Sequence, residues 1–338
     1  MCYFVDRNVG SIYQNGVAHL FMRRLCWTLP ILLLLCIPLA GQSDPHSAVG
    51  DALAFENLGS FETAAKMAKG AIDSGQLSRV ELGKAYIVLG VSYGAGNVTE
   101  AQIAFEHALH ILEHDHQHIE DYAWALESYA AFYAEIGQLD IAAPMWRKAL
   151  QLRQKIGRHE ETTVPLVHLA ELALARNRVH EAQQYLKRAE DEAKLATDIS
   201  DNRKELFFET QGWLAEAMHD PPSAVVAYQK ALELVERSHG AQHWVCGWEH
   251  MLLGKAYGQS GDLNSALVEM RKGLTIIEHS LGTKNPKYFI AEVGYSQLLD
   301  RAGLHAEAAQ MREAAAKSRK DYYRGQCAGC TINVSAFR

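Results

Sequence analysis

The 338-residue chain is short of several things. Six cysteines are too few for a disulfide-stapled fold, and eight prolines exclude an extended proline-rich rod. Thirty-three basic residues against forty acidic ones give a net charge of −7, so no broad basic surface exists to hold nucleic acid. Residues 25–40 form the one long uncharged apolar run. No phosphate-cradling glycine loop, nucleophile–base set or paired metal motif stands out. Gly90-Val-Ser92-Tyr-Gly94 has the G-x-S-x-G form, yet no strand precedes it to make a nucleophile elbow, and those residues read as helix packing and a turn. With 48% hydrophobic and 22% charged residues, what remains is an ordinary globular composition and no expected enzyme or cofactor.

Arg23 and Arg24 precede the apolar run, which ends in the small residues Ala40 and Gly41. A basic start, an apolar stretch of this length and a small-residue end predict a secretory signal over residues 22–40, cleaved near Ala40. Residues 1–21 read as an over-extended reading frame ahead of a true start at Met22. The run is shorter than a membrane span, and Pro30 and Pro38 oppose a stable helix; membrane attachment is expected only if the segment stays uncleaved. Without residues 1–40, which hold Arg7, Arg23, Arg24 and Asp6, the charge becomes −9. A secreted or periplasmic, acidic protein is the expectation.

Beyond the leader a three-residue pattern recurs: alanine, a large residue four positions on, and a small one three further. It appears as Ala101/Phe105/Ala108, Ala142/Trp146/Ala149, Ala182/Leu186/Ala189, Ala224/Tyr228/Ala231, Ala266/Met270/Gly273 and Ala308/Arg312/Ala315, with a degenerate Ala64/Ala68/Ala71. Spacings of four and three share one helical face, and the small residues admit a close neighbour. A second apolar-periodic stretch lies about 12 residues upstream of each, for instance Leu166, Leu169, Ala170 and Ala173. Short turns separate the two: Gly137-Gln138, Asn177-Arg178, Asp220-Pro221-Pro222, Gly261-Asp262 and Gly303. Helix, tight turn and helix at a fixed period of about 42 predict an all-α solenoid over residues 48–322. Pro144 is accommodated if Asp140 caps a helix beginning there, with the proline in its first turn. Residues 323–338 are expected to form an extended tail.

The spacing of Leu253, Gly254, Tyr257, Gly261, Ala266 and Gly273 resembles a tetratricopeptide repeat (TPR). The period of 42 and the strings at 142–150 and 281–288 resemble the kinesin-light-chain subtype, with Asn285 standing where that subtype commonly has histidine. The resemblance implies a right-handed solenoid of about seven hairpins whose first helices line a concave groove. Carried onto this chain, its groove positions are Tyr86, Tyr93, Trp124, Glu127, Val167, Glu171, Glu209, Trp213, Glu216, Trp248, Met251, Lys255 and Gln297. Aromatics among carboxylates favour a basic or amide-rich guest; the competing reading packs the same aromatics between hairpins.

Histidine is concentrated at His107, His110, His114, His116 and His118. His110 and His114 are four apart and are candidates to share a metal, although the helix is expected to end near 113, leaving the later histidines in solvent. Cys327-Ala-Gly-Cys330 has the spacing of a redox pair or half a zinc site without the surrounding pattern of either, so a local disulfide or two plain thiols compete with those readings. Cys246 reads as a buried small hydrophobe. The expected function is a non-catalytic exported scaffold for a protein or peptide partner. Its alternative is a metal- or redox-linked accessory role for the His107–His118 cluster and Cys327/Cys330.

Overall fold

The computed structural model describes residues 45–57, 60–94, 96–115 and 117–324. The leader and the tail from 325, with Cys327 and Cys330, lie outside them, as does His116. Fourteen helices and no strand occur among the described residues. They pair as seven antiparallel hairpins: α1 (Pro45–Asn57) with α2 (Phe61–Asp73), α3 (Arg79–Gly94) with α4 (Val98–Leu112), α5 (Ile119–Glu135) with α6 (Leu139–Ile156) and α7 (His159–Ala175) with α8 (Val179–Leu195). The last three are α9 (Asp201–Ala217) with α10 (Pro221–His239), α11 (Trp244–Ser260) with α12 (Leu263–Leu281) and α13 (Pro286–Arg301) with α14 (His305–Arg324). No helix among the described residues is long and apolar enough to cross a membrane.

The turn inside each of the last five hairpins is one device repeated. Gly137, Asn177, His219, Gly261 and Gly303 all adopt positive φ. The next residue's N–H reaches five back and the left-handed residue's own N–H reaches three back, as in Asp262 to Tyr257 O and Gly261 to Gly258 O. This closes the last carbonyls of the first helix and reverses the chain within two residues. Asp220 and Asp262 then cap the following helix by accepting from Ser223 and Ser265 N–H.

The recurring triads are the seams between helices. Every member is buried except Arg312, which is exposed and pairs with Asp300 on α13. No further hairpin follows α14 among the described residues, so the large position there is left to solvent. Gly273 marks a seam where two backbones meet closely: a Cβ built there would lie 2.5 Å from the Gly247 carbonyl oxygen and 3.0 Å from the Met251 backbone nitrogen. The obstruction is backbone and cannot swing aside. Gly273→Ala is therefore expected to cost about 1–3 kcal/mol by prying α12 from α11, measured by chemical denaturation; a variant as stable as the parent would refute this close approach.

Pro144 corrects the expected start of α6. The helix begins at Leu139, with Gln138 in the N-cap position but making no side-chain capping bond, so the proline lies inside it, in the second turn. Asp140 is no cap; its carboxylate pairs with Arg176 at the end of α7. The missing proline N–H would have bonded to the Asp140 carbonyl, close enough to the helix end to be tolerated.

The spiral closes on itself to a degree that the period alone does not dictate. Lys287, in the first turn of α13, lies 3.7 Å from Glu135 at the end of α5, four hairpins away in sequence. The same ammonium stands 4.8 Å from the Trp244 ring and 5.7 Å from Trp248.

Candidate functional site

The inner face is best defined between α9, α10 and α11. A small cavity there is lined by Glu209, Trp213 and Glu216 of α9, Tyr228 of α10, and Trp248, Leu252 and Lys255 of α11. Five of these seven are residues assigned to the groove by repeat position. Glu209, Trp213 and Glu216 fall on one face at spacings of four and three; Trp248, Leu252 and Lys255 do the same on α11. Lys255 Nζ donates to Glu216 Oε2 at 3.0 Å across the gap. Burial holds the Glu216 carboxyl above the usual range, with Lys255 acting in the opposite sense. The combined surface is two half-buried indoles beside two carboxylates, Glu216 paired with Lys255 and Glu209 bonded to the Trp248 indole. It suits a guest with an apolar side chain and a positive or amide group.

The other groove assignments divide. Tyr86, Tyr93 and Trp124 are half-buried and pack together against the cores of the first hairpins. Gln297 is exposed. Val167 and Met251 are fully buried and belong to the core, a correction to the groove map: the first helices are enclosed on more of their circumference than an amphipathic stripe requires. Glu127 is likewise no groove residue. It is buried and receives two hydrogen bonds of 3.0 Å from the Arg153 guanidinium, which also binds Glu161 on α7. Glu171 is buried between His168 Nδ1 at 2.8 Å and the Thr210 hydroxyl, which donates to it at 3.0 Å.

Of the histidines, His107 stacks on Tyr86 and His118 contacts Asp115 at 3.1 Å. His110 and His114 have side chains 82% and 71% exposed; each approaches Glu113, at 3.7 and 3.2 Å. Helix α4 ends at Leu112, so the two rings do not share a helical face. Cys246 is buried, its thiol donating to the Gly240 carbonyl and pushed up to about 12 by burial. Ser92 is buried within helix α3, and no strand leads into it.

The residues that repeat position missed are Glu205 and Glu249. They meet Glu209 in the interior: one oxygen from each of the three carboxylates lies within 4.8 Å of the others. The Glu205/Glu209 spacing of four was a sequence signal; Glu249 came from the next hairpin and needed the fold.

Residues 121–191 match the family model for the tetratricopeptide repeat. Over that stretch, which runs from α5 into α8, the chain is similar to tetratricopeptide repeats. Among solved structures it is similar to the Rap conjugation gene regulator of plasmid pLS20 in complex with the Phr* peptide, at 14% identity and a TM-score of 0.61 over 83% of this chain and 74% of that one. It is also similar to a Rap protein complexed with Competence and Sporulation Factor, at 11% identity and a TM-score of 0.60 over 82% and 77%. A third is a signal-transduction ATPase with a tetratricopeptide repeat sensor from Pyrococcus horikoshii, at 12% identity and a TM-score of 0.52 over 77% of this chain and 41% of that one. At such identities the likeness is one of fold. No curated protein matches the sequence.

Proposed function

We propose that this TPR chain is an exported, non-catalytic scaffold that receives a peptide segment of a partner protein on its inner face between α9 and α11. The observation that carries the reading is the cavity where Trp213, Trp248, Glu216 and Lys255 converge. The two Rap structures, one in complex with Competence and Sporulation Factor and the other with the Phr* peptide, support a peptide guest by analogy of fold. Export rests on the apolar run at 25–40 behind Arg23 and Arg24. The kinesin-light-chain-like subtype is supported by helices of 17 to 19 residues from α5 through α12, long enough to fill a 42-residue period.

Trp213→Ala tests the site. Screened against an array of extended peptides carrying one basic and one aromatic residue, the parent is expected to bind a subset with quenching of tryptophan fluorescence. The variant is expected to lose at least tenfold in affinity, the ordinary loss for an aromatic anchor, with its melting temperature within a few degrees of the parent. A large fall in melting temperature with unchanged affinity would make Trp213 a packing residue.

A further inference from the structure

Several buried carboxylates elsewhere in the solenoid have cationic or donor partners: Glu127 and Glu161 have Arg153, Glu171 has His168 and Thr210, and Glu216 has Lys255. Glu56 and Glu292 each bury one unpartnered oxygen, but neither joins a cluster of three acids. Glu205, Glu209 and Glu249 differ: three acids converge, and although the Trp248 indole bonds to Glu209, no cation among the described residues pairs with the group. They are 2%, 5% and 0% exposed. Both carboxylate oxygens of Glu249 and Oε1 of Glu205 are buried with no hydrogen-bond partner among the described residues. Three acids brought to one point in a low-dielectric interior repel one another, and each unpaired oxygen carries a desolvation cost of its own. Such an arrangement persists only if something positive or protonic sits among them.

We propose that Glu205, Glu209 and Glu249 form a binding site for one hard divalent cation of the calcium class. The donor set is all carboxylate oxygen, with no imidazole or thiolate to select zinc. Oxygens bound to calcium at 2.3–2.6 Å lie up to about 5 Å apart across the ion, which accommodates a set whose members are within 4.8 Å of one another. Helix α9 supplies two ligands one turn apart and α11 supplies the third from the adjoining hairpin, so the ion would tie two repeats together. Access exists as well. Glu209 belongs both to the cluster and to the cavity lined by Trp213, Glu216 and Trp248, so the route from solvent to the ion passes through the inner face. The site does not depend on a peptide guest.

The test uses the chelator-treated full chain at pH 7.5, with calcium chloride as ligand and terbium, a calcium-sized probe, as reporter. Excitation of Trp248, which lies beside Glu209 at the cavity wall, is expected to sensitise terbium emission. Calorimetry is expected to show one calcium per chain and a rise of several degrees in melting temperature. Glu249→Gln keeps the side-chain volume and removes an unpaired charge, so in chelator it is expected to be folded and at least as stable as the parent. It is also expected to lose calcium affinity at least a hundredfold and to lose the terbium signal. Glu292→Gln, a buried acid outside the cluster, is expected to retain both. Absence of calcium and terbium binding at millimolar concentration would overturn the site. So would binding that Glu249→Gln leaves unchanged, or a calcium effect equal in the Glu249 and Glu292 variants, since exposed acids would then be the ligands.

Discussion

Arg153→Ala is expected to be among the most destabilising single substitutions in the chain, at about 3–5 kcal/mol. The guanidinium is buried at the junction of three helices: its Nε and one terminal nitrogen donate to the two oxygens of Glu127 on α5, and the other terminal nitrogen donates to Glu161 on α7. Arg158 reinforces the outer side by pairing with Glu161 at 3.0 Å. Burial still holds the Glu161 carboxyl above the usual range, against the pull of Arg153 and Arg158, whereas the carboxylates hold the Arg153 guanidinium firmly protonated. Alanine removes the bidentate partner of Glu127 and leaves that buried carboxylate without its cation, where an unpaired charge costs far more than the intact pair contributes. In a solenoid each hairpin is held chiefly by its neighbours, so the loss should appear locally first. Hydrogen exchange is expected to accelerate in α5 to α7 before α11 to α14, and the thermal transition is expected to broaden or split. The triple replacement Arg153→Met, Glu127→Leu, Glu161→Leu is expected to recover most of the loss, because an apolar cluster of similar volume avoids desolvation altogether. A single alanine variant costing under about 1 kcal/mol would mean that the three groups are wetter than the packing indicates.

That network also explains where sequence reading stops. Hairpin count, period and turn positions follow from local rules. Alanine at fixed spacing marks the seams, and a left-handed residue such as Gly137 or Gly261 marks each reversal; both lie within one helical turn of the residues they control. Trp213, Glu216, Trp248 and Lys255 line one cavity because position within a repeat fixes the face a residue presents. Glu127 and Met251 occupy equivalent positions and are interior, because enclosure depends on how far the spiral curls and which neighbour fills the gap. Curling sums small rotations over hairpins, as the approach of Lys287 to Glu135 shows. Arg153, on a second helix, reads as an ordinary exposed basic residue until α7 covers it. The Glu205/Glu209/Glu249 convergence is invisible for the same reason: Glu205 and Glu209 lie one helical turn apart, but Glu249 stands 40 residues beyond Glu209 and only the fold brings it in.

In chelator, the chain is expected to lose stability as pH rises from about 5 to 8, the reverse of ordinary acid lability. Burial, with Glu171 beside it, pushes the Glu209 carboxyl up to about 8, while Trp248 and Lys287 act the other way. Glu205 is raised well above the usual range by burial and by Glu209 and Glu171, and Glu249 by burial and by Glu209 and Glu205. Two acids elsewhere have the same sign: burial raises Glu56 to about 8 and, with Glu278 nearby, Glu292 to about 7. Across this window the folded chain holds protons that the unfolded chain, with carboxyls near 4.5, has released. More protons bound when folded means that unfolding becomes easier as pH rises, by about 1.4 kcal/mol per pH unit for each such proton. Below about 4.5 both states are protonated and the effect ends. There the half-buried Glu81, held down to about 2 mainly by hydrogen bonds from Ser78, begins to act in the other direction, so the stability maximum is expected near pH 5. Denaturant titrations at pH 5, 6.5 and 8 should show the midpoint falling stepwise, with Glu249→Gln giving a shallower slope and its largest gain over the parent at pH 8. Calcium is expected to flatten the parent's curve, because an ion occupies the place of the protons. A parent that gains stability from pH 5 to 8 in chelator would mean that these carboxyls are ionised in the fold, with compensation stronger than Trp248 and Lys287 give to Glu209.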